Sequence, residues 1–475
     1  MKKALFINLS NKEQITRRYM CSYVSPESLF PPLELISLAA IARESHNMEI
    51  KLIDAIAENL GQDRVLQEAL NYKPDIIVSI MGLECIEEDC NEVKFLKDQI
   101  PGVQYVVFGH YATQFPNEVI QKSTADFLLL GEPDFIFLNL LDALHGLSPL
   151  EEVGGVVRIG EDGNPVQQGE DKRIPNPNEL PIPAYDILPI DKYYEPVLPR
   201  PYSLIQTARG CPYPCSFCVK SYGSKLTIQS PERVVNEIQN LVENYGIKSL
   251  RIIDDTFTVN KRRVIEICKE LVARKFNLQW CCLSRTDNLT DEMLHWMKKA
   301  GCTRIYFGLE SGSQRILDLY QKNIKVEEAI ESLLLCRKYG IETTGFFMSG
   351  FPEETEEDFD KTIAFAIKAK LTFASVNPLS PYPGTSLYDR LAPDLDFSLF
   401  PYKNEFKDPQ IVLNFTKRKK KFYKAFYMRP NYVLSNVPSI IKNFSEFSGH
   451  AFGLLKYVFL NGAFVISGLK GANDK

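Results

Sequence analysis

A chain of 475 residues is longer than the roughly 250–300 at which one hydrophobic core stops growing, so two or three domains are expected. Apolar residues make up 45% and charged residues 24%, which excludes a disordered or fibrous chain, and a net charge of −5 offers no global basic field to nucleic acid. The N-terminus MKKALFINLS has neither the apolar run nor the cleavage site of a signal peptide, so a cytoplasmic location is expected.

Residues 1–150 alternate short apolar runs (3–9, 49–54, 75–81, 104–108 and 126–130) with helical patterns at 33–44 and 117–122. Nearly continuous apolar strands joined by helices predict an α/β, doubly wound (Rossmann-like) parallel sheet, whose ligands sit at the carboxyl ends of the strands. Gly109-His110 and Gly131-Glu132 fall at such ends. Residues 151–200 read as a hairpin (155–159, turn at 161–164) and a connector made semi-rigid by Pro175, Pro177, Pro181, Pro183 and Pro189.

From 201 to 395 the alternation resumes with a longer period, with strands expected at 202–207, 249–253, 278–284, 304–309, 343–349 and 372–379. Six β/α units predict a partial parallel barrel. The best signalled helix starts at Ser230 as N-cap with Pro231 behind it. Residues 396–475 form a helical C-terminal extension. It carries a basic run, TKRKKKFYK at 416–424, read as a solvated helix face. Its apolar tail, 451–469, is too short and too interrupted to span a membrane and reads as a packed or interfacial helix, the place for peripheral membrane contact.

Eleven cysteines in such a chain argue for metal or redox chemistry over disulfides. Cys21, Cys85, Cys90, Cys268, Cys281, Cys282, Cys302 and Cys336 are scattered, mostly in apolar surroundings, and read as buried structural thiols. Cys211, Cys215 and Cys218 are different: C-x3-C-x2-C directly after the first barrel strand, in the run Arg209-Gly-Cys-Pro-Tyr-Pro-Cys-Ser-Phe-Cys218. Soft thiolates select zinc or iron–sulfur clusters. Zinc would need a fourth ligand, and the next cysteine and histidine are Cys268 and His295. Three ligands on a four-iron cluster leave one iron open to a cofactor or substrate.

This loop, with an aromatic residue before its last cysteine, resembles that of the radical S-adenosylmethionine (SAM) enzymes, whose fold is a partial β/α barrel. The resemblance implies a [4Fe–4S] cluster on the three cysteines, SAM bound at the open iron, and hydrogen abstraction by a 5′-deoxyadenosyl radical. It further implies SAM contacts at Asp254 and Asp255 after the second strand, Arg285 after the third, Glu310 after the fourth and Gly350 after the fifth. The N-terminal half resembles the cobalamin-binding domain of one radical SAM class in Pro31-Pro-Leu-Glu34, in Gly109-His110-Tyr-Ala-Thr113 and in Gly131-Glu132-Pro-Asp134. Gly109, His110, Thr113, Gly131 and Glu132 are thereby implied as cobalamin contacts. No Asp-x-His-x-x-Gly loop is present, so the cobalt is expected to have no histidine from the protein below it, and His110 reads as a loop residue.

The function so implied is methyl transfer from methylcobalamin to an unactivated carbon of a small or lipid-like substrate, with an electron donor such as flavodoxin or ferredoxin. A cobalamin-dependent cyclisation or rearrangement is one alternative. A tRNA methylthiotransferase is another, opposed by the poor spacing of Cys21, Cys85 and Cys90 and by the lack of a basic footprint. A non-enzymatic corrinoid or redox carrier is the third, opposed by the open iron, since electron carriers hold all four irons with cysteine.

Overall fold

The computed structural model describes residues 2–18, 22–24, 28–169, 176–196, 198–220, 222–394 and 409–434. The tail at 451–469, with its expected membrane contact, and Cys21 lie outside these residues. Among the described residues no helix is long and apolar enough to cross a membrane.

The first strand, Lys3–Asn8, has Ala4 to Ile7 wholly buried, because helices cover both faces of the sheet. It lies between Glu49–Asp54 and Ile76–Ile80, and Gln104–Phe108 and Phe127–Leu129 follow outward, all parallel. The hairpin Val156–Ile159 and Pro165–Gln168 continues the same sheet in antiparallel register, so it extends the first layer and is not part of the connector. The second sheet has six parallel strands in sequential order, Tyr202–Ile205, Ser249–Ile252, Gln279–Ser284, Cys302–Glu310, Glu342–Ser349 and Phe373–Pro378. This is the expected partial barrel. Ser230 caps the helix Pro231–Tyr245, its hydroxyl accepting from the Arg233 amide at 3.2 Å, and Gly246 ends it at φ 63°.

One apolar core runs through both halves, from Phe6 and Leu33 to Tyr202 and Leu250. The connector stitches them together: the Ala184 amide donates to Ile36 O (3.0 Å) and the Tyr193 hydroxyl to Asp54 Oδ2 (2.7 Å). The helix Pro409–Tyr427 carries the basic run, and it is not simply a solvated face. Phe422 and Phe426 are buried, and the Tyr427 hydroxyl bonds both backbone groups of Ala374 on the last barrel strand. Phe422 and Phe426, at i and i+4, supply the inward stripe, so the helix covers the barrel's edge. The seven described scattered cysteines are all buried free thiols, as expected.

Candidate active site

The Cys loop is anchored by one carboxylate. Asp254 is fully buried and accepts from the Thr207 amide (2.5 Å), the Thr207 hydroxyl (2.5 Å) and the Ala208 amide (2.9 Å). Burial raises its pKa, against the pull of Arg263 and of these donors. Ala208–Arg209 then pairs with Thr227–Ile228, which closes residues 210–226 into a lobe, and Gly210 turns the chain at φ 84°. Within the lobe the Cys211 amide donates to Gly223 O (3.1 Å), Ser216 to Tyr320 O (3.2 Å) and Cys218 to Cys215 O (3.3 Å). Cys215 is buried, Cys211 half-buried and Cys218 exposed.

Asp254 and Asp255 were expected together at a ligand, and the structure separates them. Asp254 turns both carboxylate oxygens to the loop it holds. Asp255 is only half-buried and stands beside Cys211; burial lifts its carboxyl to about 6, with Asp254 adding to the rise. Burial also raises the Cys211 thiol, reinforced by Asp255 and Cys215. Among the described residues no three His, Cys, Asp or Glu side chains form a site for a single metal ion.

Two cations flank the lobe. Arg285 forks onto Asp287 (3.0 and 2.9 Å), donates to Lys322 O (2.9 Å), lies over the Tyr213 ring at 3.8 Å and points Nη1 at Cys215 Sγ, 3.9 Å away. Lys322 donates to Glu310 Oε1 at 2.7 Å and sits over Phe217. Burial disfavours the Lys322 ammonium, yet Glu310 beside it carries its pKa above the ordinary lysine range. Glu310 itself has φ 63°, just past a register shift in its strand. Gly350, at φ 101°, lies one strand on and donates its amide to Glu354 Oε2 (2.9 Å), which also takes Arg418 Nη1 at 2.7 Å. Asp255, Arg285 and Glu310 are thus gathered at the Cys lobe, with Gly350 set beside them.

In the N-terminal half the predicted residues form a seam. Gly109 has φ 151°, and a Cβ there would strike the Met81 carbonyl. Thr113 Oγ1 donates to Gly109 O (3.0 Å) and accepts from the Gly131 amide (3.1 Å), tying the two loops together. His110 bonds the backbone at Pro383, in the loop after the last barrel strand, and burial lowers its pKa. The Glu132 carboxylate accepts from Arg209 Nη1 at 3.3 Å. The loops at 10–17 and 82–89 are locked by Arg17, which pairs with Asp89 (2.7 and 3.1 Å) and donates to Asn8 Oδ1 and Leu9 O. Sequence reasoning missed Arg17, Asp134, Arg209 and Lys322. Arg209 and Asp134 stand in the quoted runs without a role assigned to them, and at Arg17 and Lys322 the only signal is a charge close to a strand end or a turn.

Residues 205–366 match the model of the radical SAM superfamily. The uncharacterized methyltransferase PH0819 of Pyrococcus horikoshii is 33% identical over 419 residues, covering 86% of this chain and 90% of that protein. Two solved structures share the fold at 17% identity. One is the cobalamin-dependent SAM radical enzyme OxsB with aqua-cobalamin and SAM bound, at TM-score 0.72 over 96% of this chain and 72% of that one. The other is the radical SAM methyltransferase TsrM of Kitasatospora setae with cobalamin and a [4Fe–4S] cluster bound, at TM-score 0.66 over 83% of this chain and 75% of that one. The chain belongs to the radical SAM enzymes, in the family of the methyltransferase PH0819, with the two-part fold of the cobalamin-dependent class.

Proposed function

We propose that the protein is a cobalamin-dependent radical SAM methyltransferase acting on an unactivated carbon of a small or lipid-like molecule. One observation carries the reading: the Cys lobe and the strand-end loops of the N-terminal sheet meet at a single junction, closed by Arg209 with Glu132 and Asp134 on one side and by His110 with Pro383 on the other. Two cofactors that must exchange a substrate need such a shared space. When bound, a [4Fe–4S] cluster supplies the electron for reductive SAM cleavage and cobalamin supplies the methyl group.

In this reading Cys211, Cys215 and Cys218 hold the cluster. Asp255, Arg285 and Glu310 receive the zwitterionic and ribose groups of SAM, and Gly350 leaves room near its adenine. Asp254 acts as a positioning residue that holds the lobe. Gly109, Thr113 and Gly131 shape the corrinoid crevice, and His110, already bonded to the barrel, is not a cobalt ligand. Cys218, exposed and followed by Lys220 and Lys225, supports a one-electron donor protein such as flavodoxin or ferredoxin, and the location proposed is cytoplasmic.

The test is incubation of anaerobically reconstituted protein with SAM, a reductant and hydroxocobalamin. 5′-Deoxyadenosine together with S-adenosylhomocysteine is the expected outcome; 5′-deoxyadenosine alone would point to cyclisation or rearrangement. The Cys211→Ala, Cys215→Ala, Cys218→Ala triple variant should lose the iron–sulfur chromophore and both products, and cleavage of SAM by that variant would overturn the reading.

A further inference from the structure

Arg209 stands two residues before the first cysteine, yet its guanidinium leaves the barrel. Nη1 and Nη2 both bond Asp134 (2.5 and 3.3 Å), Nη1 also bonds Glu132 (3.3 Å), and Nε is held by Gln206 at 2.9 Å. The side chains of the three charged partners are only 14%, 6% and 2% exposed, and the Tyr222 ring lies 5.1 Å from the guanidinium. A planar fork with two carboxylates in a dry contact fixes orientation as well as distance, which a surface pair does not.

Both ends of this pair are rigid. On one side Arg209 is in the two-stranded ladder that closes the Cys lobe, next to the backbone held by Asp254. On the other, Glu132 and Asp134 open the helix Pro133–Leu144, and the adjoining Gly131 amide is tied through Thr113 to Gly109. A second crossing closes the ring: His110 bonds Pro383, and Gly384 abuts Gln114 so closely that a Cβ would lie 2.6 Å from its Oε1. The path runs from the cysteines through Arg209 to the loops of the N-terminal crevice, and back to the barrel.

We infer that Arg209 is a positioning residue which, through Asp134 and Glu132, sets the separation and orientation of the cluster relative to the corrinoid. This rests on the two-cofactor reading above. It does not make Arg209 a ligand of either cofactor, and it assigns the pair a role beyond stability.

Arg209→Lys keeps the charge and removes the fork; Asp134→Asn keeps the shape and removes the charge. In full-length reconstituted protein holding cob(II)alamin and a reduced cluster, two unpaired spins report their separation through an inverse-cube dipolar coupling. The wild type should give one narrow coupling. Both variants should retain iron and cobalamin stoichiometry but show a weakened and broadened coupling, and Glu132→Gln a smaller change. Couplings in both variants that superimpose on the wild type, with both cofactors retained, overturn the inference. Hydrogen exchange on the cofactor-free chain gives an independent reading. Arg209→Lys should speed exchange at 109–114, 129–134 and 208–223 together, and unchanged exchange at 129–134 overturns the inference too. A wild-type protein that takes up no cobalamin would count against the proposed function, while the exchange experiment still decides on the contact.

Discussion

The N-terminal sheet and the barrel end their strands in opposite ways. In the first, the charged groups at the carboxyl ends satisfy one another: Arg17 and Asp89 are a fully buried pair, Asp89 also takes the Gly82 amide, and Ser10 donates to Glu92. In the barrel, Asp255 is half-buried and has the Cys211 thiol beside it, and Arg285 directs a guanidinium nitrogen at Cys215. The first rim is held by pairs among its own side chains, whereas at the barrel rim charged side chains stand directly against the cysteines.

The comparison breaks if the internally paired groups can be removed cheaply. Arg17→Met would leave Asp89 buried without its partner, and Asp254→Ala would leave two amides, a hydroxyl and the Arg263 charge uncompensated. Each should cost about 3–5 kcal/mol in denaturant unfolding, and Asp254→Ala should also lower iron loading. Asp255→Ala, one residue on, should leave the unfolding midpoint near wild type. A large loss there would erase the distinction between neighbours.

Smaller effects sharpen it. Arg285→Ala should weaken SAM binding to the reconstituted enzyme by roughly 1.5–3 kcal/mol by calorimetry, the size of a charge-assisted contact. Glu92 tests the N-terminal rim: burial pushes its carboxyl up to about 7, despite the Ser10 hydroxyl. A raised carboxyl pKa means the folded state holds the proton more tightly. Its contribution is therefore most favourable below the ordinary glutamate value, declines as pH rises toward 7 and is flat above. Glu92→Gln should remove that slope and gain about 1–2 kcal/mol at pH 8 in unfolding experiments. Smallest is Ser230→Ala, remote from both rims, which should cost about 1 kcal/mol through the lost cap alone.

Much of this was legible in the chain. The strand at 104–108 matches its expected bounds because a run buried on both faces is nearly continuously apolar, a signal that does not depend on partners; the edge strand at 49–54 matches too, although Glu49 and Lys51 interrupt it. The C-x3-C-x2-C loop stood out because its cysteines lie close together in sequence, and the fold places it directly after the first barrel strand, as expected. What could not be read is contact between distant charges. Arg209 meets Asp134 75 residues back, and Lys322 reaches Glu310 across the short helix Gln314–Leu319, and nothing in either local pattern names the partner. The two aspartates at 254 and 255 are chemically identical in sequence; only the fold decides which one the backbone consumes. The basic run at 416–424 misled for the complementary reason, since its lysines drew attention from the aromatic stripe that anchors it.

The backbone at Glu310 carries a further consequence. A side-chain-bearing residue at φ 63° costs roughly 1–2 kcal/mol that glycine would not, while stripping Lys322 of its counter-charge costs about 3–5 kcal/mol. Glycine alone at 310 therefore loses more than it gains. Glu310→Gly combined with Lys322→Met escapes both terms and should melt higher than the parent. Selection for heat resistance alone would drift toward that pair and surrender the cation–carboxylate pair beside the cysteines. If Glu310 receives SAM as proposed, the left-handed glutamate is a point where durability and ligand recognition pull the sequence in different directions.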